Sequence, residues 1–311
     1  MDYYIYIIDD LVFFFTGGVF IYLFVLAVAS HFKHIDYPKS QKKYNCAILI
    51  REGSPLPATY KESPYEFFTY SDLYQGIIGL DKERYDLVLI LSEAACKLSP
   101  QLMEKIYDAY DAGVRAIQLH TIVENRKGFP NRFRILCDEI KNSLYRTGNT
   151  HFGLSSGLLG TNMAIDLEWL QKNMKSSRTN IERKLLRQNI YIDYLPDTIV
   201  YCQSIPTCSY RQRIGKMIPN LIPSLLDGNW NFFNRIIQQL IPSPLKLCIF
   251  AGVWTALITV YDWTASLGWW IMLLGILIAY SLAIPDYLVE DNKKKKHSIW
   301  RKWRKRHLNN E

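Results

Sequence analysis

The chain has 311 residues, 49% of them hydrophobic, and 37 lysines and arginines against 29 acids give it a formal net charge of +8. That length suits one sizeable α/β domain with a few membrane helices, or two small domains. The six cysteines (Cys46, Cys96, Cys137, Cys202, Cys208 and Cys248) are scattered, with no C-x-x-C pair and no histidines at ligand spacing. This excludes a zinc ribbon and a disulfide framework and fits a reducing compartment.

Residues 11–30, LVFFFTGGVFIYLFVLAVAS, form an uncharged apolar run long enough to cross a bilayer as a helix. Asp9 and Asp10 precede the run, where a cleaved signal peptide would carry basic residues. His31, Lys33, His34, Lys39, Lys42 and Lys43 follow it, so the positive-inside rule puts the N-terminus outside and the chain beyond in the cytoplasm.

In the middle of the chain, NCAILI (45–50) and YDLVLIL (85–91) read as strands, the second continuous enough to be buried on both faces. The stretch PQLMEKIYDAYDAG has helical spacing at Leu102, Ile106 and Tyr110 and stops at Gly113. VRAIQLH (114–120) is a third strand, and the order strand, helix, strand predicts a parallel α/β sheet. NRFRILCDEIKNSLYRTG predicts a helix, and the small-residue loop from Ser155 to Gly160 feeds a further strand and helix. IERKLLRQNIYIDYLPDTIVYCQ predicts a helix, a strand and a turn at Leu195-Pro196-Asp197.

Residues 216–242 alternate apolar patches with prolines, too broken to span a membrane. They read as helices lying in the interface plane, with packing under the globular domain as the competing arrangement. Runs 245–261 and 265–284, separated by a very short turn, predict a transmembrane hairpin with Trp254, Trp263, Trp269 and Trp270 suited to interfacial positions. Two crossings return the chain to the cytoplasm, where the tail NKKKKHSIWRKWRKRH (292–307) follows. A basic tail directly after a membrane helix meets anionic lipid heads rather than nucleic acid, with Trp300 and Trp303 at the interface. The expected localisation is the cytoplasmic (inner) membrane.

The loop after the second strand, SEAACK, carries one acid, Glu93, where a metal-nucleotide site holds two or three. No Walker loop, G-x-G-x-x-G loop, G-x-S-x-G elbow or H-E-x-x-H motif is present, which leaves hydrolase and NTPase readings without support.

The layout, together with YDLVLILSEAACKLSPQLMEKIYDAYDAGVRAIQLH, GLSSGLLGTNMAIDLEWL and the spacing of QNIYIDYLPDTIVYCQSIPTCSYRQRIGK, resembles the membrane-bound family 2 glycosyltransferases, the group of cellulose, hyaluronan and poly-N-acetylglucosamine synthases. The resemblance implies an α/β nucleotide-diphospho-sugar transferase-like (GT-A) cytoplasmic domain, with a shortened nucleotide-binding half, plus about three transmembrane helices. The implied division is an anchor over 1–31, the cytoplasmic domain over 45–215, interfacial amphipathic helices over 216–244, a transmembrane hairpin over 245–288 and a basic tail over 289–311. It also implies transfer of a sugar from a nucleotide-sugar to a lipid-linked or polysaccharide acceptor, with Mg or Mn on the diphosphate when active.

Carried over position by position, the family's motifs are altered. The D-x-D metal site falls on Ser92-Glu93-Ala94 or Glu93-Ala94-Ala95, leaving Glu93 as its sole acid. The T-E-D base position falls on Ser176-Ser177-Arg178, with Glu182 about one turn further on, and no catalytic residue is assigned. Q-x-x-R-W reads Gln212-Arg213-Ile214-Gly215-Lys216, so Gln212, Arg213 and Lys216 join Glu93 as the implied nucleotide- and phosphate-binding residues. Only about 40 residues separate the first strand from the metal strand, with Asp72 as a candidate for the uridine contact. Ser156, Gly157 and Gly160 are the implied acceptor loop. The expected function is membrane-bound glycosyl transfer with an altered, impaired site; the alternative is a non-catalytic partner or scaffold of an active glycosyltransferase.

Overall fold

The computed structural model describes residues 2–32, 36–52, 65–92, 97–98, 101–124, 128–202, 217–285 and 287–288. In chain order the elements are α1 (Asp2–Ala29), β1 (Cys46–Arg51), β2 (Glu66–Tyr70), α2 (Leu73–Ile78), β3 (Leu87–Leu91), β4 (Lys97–Leu98), α3 (Leu102–Asp111) and β5 (Ala116–Val123). They continue as α4 (Phe129–Asn142), α5 (Gly148–His151), β6 (Met163–Asp166), α6 (Leu167–Asn173), α7 (Ile181–Arg187), β7 (Ile192–Cys202), α8 (Leu221–Leu226), α9 (Trp230–Leu240), α10 (Pro244–Tyr261) and α11 (Trp263–Leu282). They form two compact units, one gathering α1, Leu136–Leu144 and the chain from Pro242 onward, the other holding the rest.

The second unit is built on a seven-stranded sheet of order β2-β1-β3-β6-β5-β7-β4. The sheet is mixed rather than parallel. β6 runs antiparallel between β3 and β5, so the helix α3 joins two strands that point the same way without touching. A strand–helix–strand pattern establishes direction but not adjacency, because a later strand can insert between the two. β3 and β5 are buried along their whole length, as a strand covered on both faces must be. One core lies on each side of the sheet: Leu49, Val88, Ile90, Ile165 and Leu185 on one, and Ile48, Leu89, Leu91, Ile106 and Leu119 on the other.

Two local expectations change. The stretch 65–72 contains a strand, β2, hydrogen-bonded parallel to β1 at the sheet edge. Leu195-Pro196-Asp197 is a bulge inside β7 instead of a turn. Leu119 pairs with Leu195 but His120 pairs with Ile199, so three residues are looped out and the strand continues. Proline lacks the ladder N–H, which a bulge tolerates.

The first unit holds three helices long and apolar enough to cross a membrane: Tyr6–Ala29, Pro244–Tyr261 and Trp263–Leu282. Helix α1 begins earlier than the uncharged run and carries Asp9 inside it, 8% exposed. Asp9 Oδ1 accepts hydrogen bonds from the indoles of both Trp254 (2.8 Å) and Trp269 (2.9 Å). These two tryptophans therefore face the helix bundle rather than an interface, Trp269 being 1% exposed, while Trp263 and Trp270 stay exposed. The reason is that a carboxylate at this depth must find donors within the protein. Tyr6 Oη donates to Asp262 at the hairpin turn (3.2 Å), so the N-terminal end of α1 and the turn lie at one end of the bundle.

Packing between α1 and α11 rests on two glycines seven residues apart. A Cβ on Gly268 would lie 3.2 Å from Phe13, and one on Gly275 would lie 2.8 Å from Phe20. Gly275→Leu is expected to lower the thermal unfolding midpoint in detergent by the cost of overpacking, about 1–3 kcal/mol. Gly252→Leu, at a position with nothing within 4 Å, is expected to leave the midpoint unchanged.

Candidate functional site

All strands of the sheet except β6 and β4 point the same way, so their C-terminal ends share one edge. Since β6 runs the other way, its entry loop, residues 155–162, arrives at that edge too. The edge thus collects Asp72 after β2, Ser92 after β3, Glu124 after β5 and the whole small-residue loop. Ligands of open α/β sheets bind at such an edge.

The loop is held at nearly every residue. Ser155 N donates to Asn231 Oδ1 on α9 (2.7 Å), and Ser156 N and Oγ donate to the carbonyls of Ile192 (2.8 Å) and Asp193 (3.1 Å). The Gly157 carbonyl accepts from Arg146 Nε (3.1 Å), and Leu158 N donates to Glu182 Oε1 (3.3 Å). Leu159 N donates to Gln118 Oε1 (2.7 Å), while Gln118 Nε2 serves the carbonyls of Leu119, Thr161 and Asn162 at 3.0–3.1 Å. Gly160 adopts φ +82° and Asn162 φ +53°, left-handed positions that glycine and asparagine fill at least strain.

Asn162, fully buried, fastens three strand ends at once. Its Oδ1 accepts from Ser92 N (3.0 Å), and its Nδ2 donates to Thr121 Oγ1 (2.8 Å) and contacts Cys202 Sγ (3.6 Å).

Beneath Gly157 lies a buried charge cluster. Arg235 of α9 donates from Nε to Glu182 Oε1 (2.6 Å) and from Nη1 to Gln238 Oε1 (3.2 Å). Its guanidinium lies directly on Gly157, where a Cβ would stand 2.5 Å from Cζ. Glu182 has no exposed surface, and burial pushes its carboxyl above the ordinary range against the opposing pull of Arg235, Leu158 N–H and Arg146. Two buried oxygens here, Glu182 Oε2 and Thr161 Oγ1, have no hydrogen-bond partner. Such atoms mark places where a water or a ligand hydroxyl is held.

Of the residues singled out in the sequence, Ser156, Gly157 and Gly160 come together in this loop. Glu93, Gln212, Arg213, Lys216 and the basic tail lie outside the described residues. The position expected for the proton acceptor carries a serine, Ser177, whose hydroxyl is engaged elsewhere. Ser177 Oγ donates to Asp72 Oδ1 (2.5 Å) and accepts from Tyr74 N (2.9 Å), and Ser176 N donates to Thr179 Oγ1 (3.1 Å). Asp72 sits at the end of a strand, as a base-reading acid would, but it caps α2 through Tyr74 N and Gln75 N. These bonds hold its carboxyl below the usual range, the Ser177 hydroxyl most of all. Glu182, one turn beyond the Ser-Ser-Arg stretch, is sealed under the loop with Arg235 and presents no surface to an acceptor. Among the described residues no group of three His, Cys, Asp or Glu comes together to hold a metal ion.

Asn162, Gln118, Arg146 and Arg235 were not visible as site residues in the sequence. The one signal pointing to Asn162 was its place after Gly160, where a loop must reverse into a strand. A separate cleft of about 370 Å³, lined in part by Tyr37, Glu104, Pro196 and Asp197, lies beside the β7 bulge. Lys105 there is paired with Asp36 and Asp197.

The family model described as Glycosyl transferase family group 2 matches residues 87–282, more than half of the chain. The chain belongs to this family. A search of curated proteins finds no match. Among solved structures, the chain is similar to the mannosyltransferase PcManGT from Pyrobaculum calidifontis, in complex with GDP-Man and Mn2+. The identity is 10%, covering 86% of this chain and 94% of that one, with a TM-score of 0.44. As a family 2 glycosyltransferase, the protein carries the loop 155–162 within the matched region, along with Ser92, Glu182 and Arg235.

Proposed function

We propose that this family 2 glycosyltransferase is a membrane-bound protein of polysaccharide or glycoconjugate synthesis whose acceptor side is kept and whose sugar-nucleotide transfer chemistry is impaired. The observation carrying this reading is the contrast within one sheet edge. The loop 155–162 is held by buried Gln118, Asn162 and Glu182, whereas the proton-acceptor position carries Ser177, bonded to Asp72. A neutral serine hydroxyl lacks the basicity to take an acceptor proton. The second reading, a non-catalytic partner or scaffold of an active glycosyltransferase, is favoured by the same bond, since a rigid acceptor-side surface without a base still suits binding.

The bulk of the second unit and the basic tail are assigned to the cytoplasm, with the N-terminus outside. The bond between Tyr6 and Asp262 supports this, because it puts the N-terminal end of α1 and the hairpin turn at one end of the bundle, as the N-outside topology requires. On the acceptor side, Ile222, Leu226 and Trp230 of α8 and α9 are exposed while Phe232 and Ile236 enter the core. That division supports an interfacial placement for these helices, and a lipid-linked acceptor would reach the loop from there.

Calorimetric titration of the purified protein with UDP-sugars and Mg²⁺ or Mn²⁺ tests the impaired site. Heats indicating no tighter than roughly millimolar affinity are expected, about 4 kcal/mol short of a micromolar site. Micromolar, metal-dependent binding with turnover would overturn the proposal. If active synthases co-purify with the chain and lose activity on its removal, the scaffold reading replaces the impaired-enzyme one.

A further inference from the structure

The cleft of about 370 Å³ beside the β7 bulge takes its walls from α3, the bulge and the segment 36–40, and none of these belongs to the loop 155–162. The walls are held in place by bonds behind them. The Tyr37 hydroxyl donates to the fully buried Asp193 (2.8 Å), and Ser40 N donates to Asp108 (2.7 Å). Lys105 spans Asp36 (3.6 Å) and Asp197 (3.3 Å). The bulge is locked twice, Thr198 Oγ1 donating to the Leu195 carbonyl (2.7 Å) and His120 Nδ1 to that of Pro196 (3.1 Å). A bulge re-aims side chains out of the ladder, and this one gives Pro196 and Asp197 to the cleft. Two further lining side chains, Gln101 and Glu104, are exposed and make no hydrogen bond or ion pair among the described residues.

The lining decides the class of ligand. Four carboxylates (Asp36, Glu104, Asp108 and Asp197) stand against two ammonium groups (Lys39 and Lys105), so a phosphate or nucleotide would meet like charge. A small cation fits no better, because Lys105 already bridges two of the carboxylates and Lys39 lines the same cleft. A neutral ligand dense in hydroxyls remains. Carboxylate and amide oxygens accept from its hydroxyls, while the Gln101 amide and the lysines donate to them. The Tyr37 ring and Pro196 offer an apolar surface to the C–H face of a pyranose. The volume falls within the range of small-ligand pockets, about 300–1,000 Å³. We propose that this cleft is a binding site for a short neutral saccharide, separate from the loop 155–162. The inference rests on the reading of the chain as a protein of glycan synthesis only for the choice of sugars, and it does not depend on whether transfer chemistry survives.

The test is saturation-transfer NMR on the full-length protein in nanodiscs free of sugar-headed detergent, with cellobiose and N,N′-diacetylchitobiose as probes. Transfer to the ring protons of at least one sugar is expected. Gln101→Ala and Glu104→Ala are each expected to weaken that sugar's affinity by roughly five-fold, through the loss of one hydrogen bond. Both positions are exposed, so the thermal midpoint is expected to stay unchanged in these variants. Thr161→Val, in the loop at the sheet edge, is expected to leave the affinity unchanged. No transfer at millimolar sugar, or transfer that neither α3 substitution weakens, would overturn the proposal. A loss confined to Thr161→Val would overturn it too, by placing the sugar at the loop. So would displacement of the sugar by micromolar spermidine, which would mark the cleft as a cation site.

Discussion

Arg235→Met is expected to destabilise the α/β unit by about 3–5 kcal/mol, because it strands a carboxylate that has no access to water. Glu182 is fully buried and Arg235 Nε is its ion-pair partner at 2.6 Å, so the removal leaves only the Leu158 N–H and the more distant Arg146. The loss should read as a fall in thermal midpoint of roughly 6–20 °C, given a unit of this size.

The loss also depends on pH, with a definite sign. Burial already raises the Glu182 carboxyl, so the folded state holds its proton more tightly than the unfolded chain. Stability from this group is therefore fully present below the unfolded carboxylate range and is lost as pH rises through the folded value. Removing the arginine takes away the principal lowering influence and raises the folded value further. The variant's deficit is thus expected to be larger at pH 8 than at pH 5, and Glu182→Gln in the same background is expected to restore part of it. A deficit equal at both pH values would show that Arg235 acts through packing alone. Gly157→Ala is expected to mimic the loss, since its methyl takes the space of the guanidinium.

Asn162→Ala is the second large effect, about 2–4 kcal/mol. It orphans the Ser92 N–H, worth about 1–3 kcal/mol when no partner replaces it, and it puts a Cβ residue without a compensating bond at φ +53°. Asn162→Gly removes the strain but not the orphan and should lose about 1 kcal/mol less than alanine. Asn162→Asp keeps the acceptor for Ser92 but loses the donor to Thr121 and Cys202 and buries a carboxylate, so its stability loss is expected to be at least that of glycine while the Ser92 bond survives. Amide hydrogen exchange at Ser92 is the decisive reading. It is expected to accelerate in Asn162→Ala and Asn162→Gly and to stay protected in Asn162→Asp. Protection retained in all three would mean that the strand end is held by something other than this side chain.

The elements with strong local patterns were legible in advance. YDLVLIL became β3, and the Leu102–Ile106–Tyr110 spacing became α3, with Gly113 at φ +98° just past its end. The strand and helix after the small-residue loop became β6 and α6, and the three apolar runs became α1, α10 and α11. The short strand β2 escaped because five residues without a clean alternation carry little periodic signal, and its existence depends on pairing with β1. The tryptophans show the same limit in the membrane unit. Composition suggested interfacial positions for all four, but Trp254 and Trp269 turn inward because Asp9, some 250 residues away in sequence, needs their N–H groups.

What the sequence determined by itself was whatever repeats within a few residues: hydrophobic period, run length, charge flanks and the order of motif positions. Those features specified three helices long and apolar enough to cross a membrane, an α/β domain and membership of a glycosyltransferase family. Tertiary structure alone decided adjacency and pairing: β6 between β3 and β5, Asn162 across from Ser92, Arg235 beneath Gly157, and Ser177 bound to Asp72. Each of these joins residues dozens of positions apart, and such long-range pairing and packing leave no periodic trace along the chain. The loop after β3 drew attention as the place for metal carboxylates. Among the described residues of that edge, it is the loop 155–162 whose backbone is held by buried side chains, Gln118 and Glu182 among them.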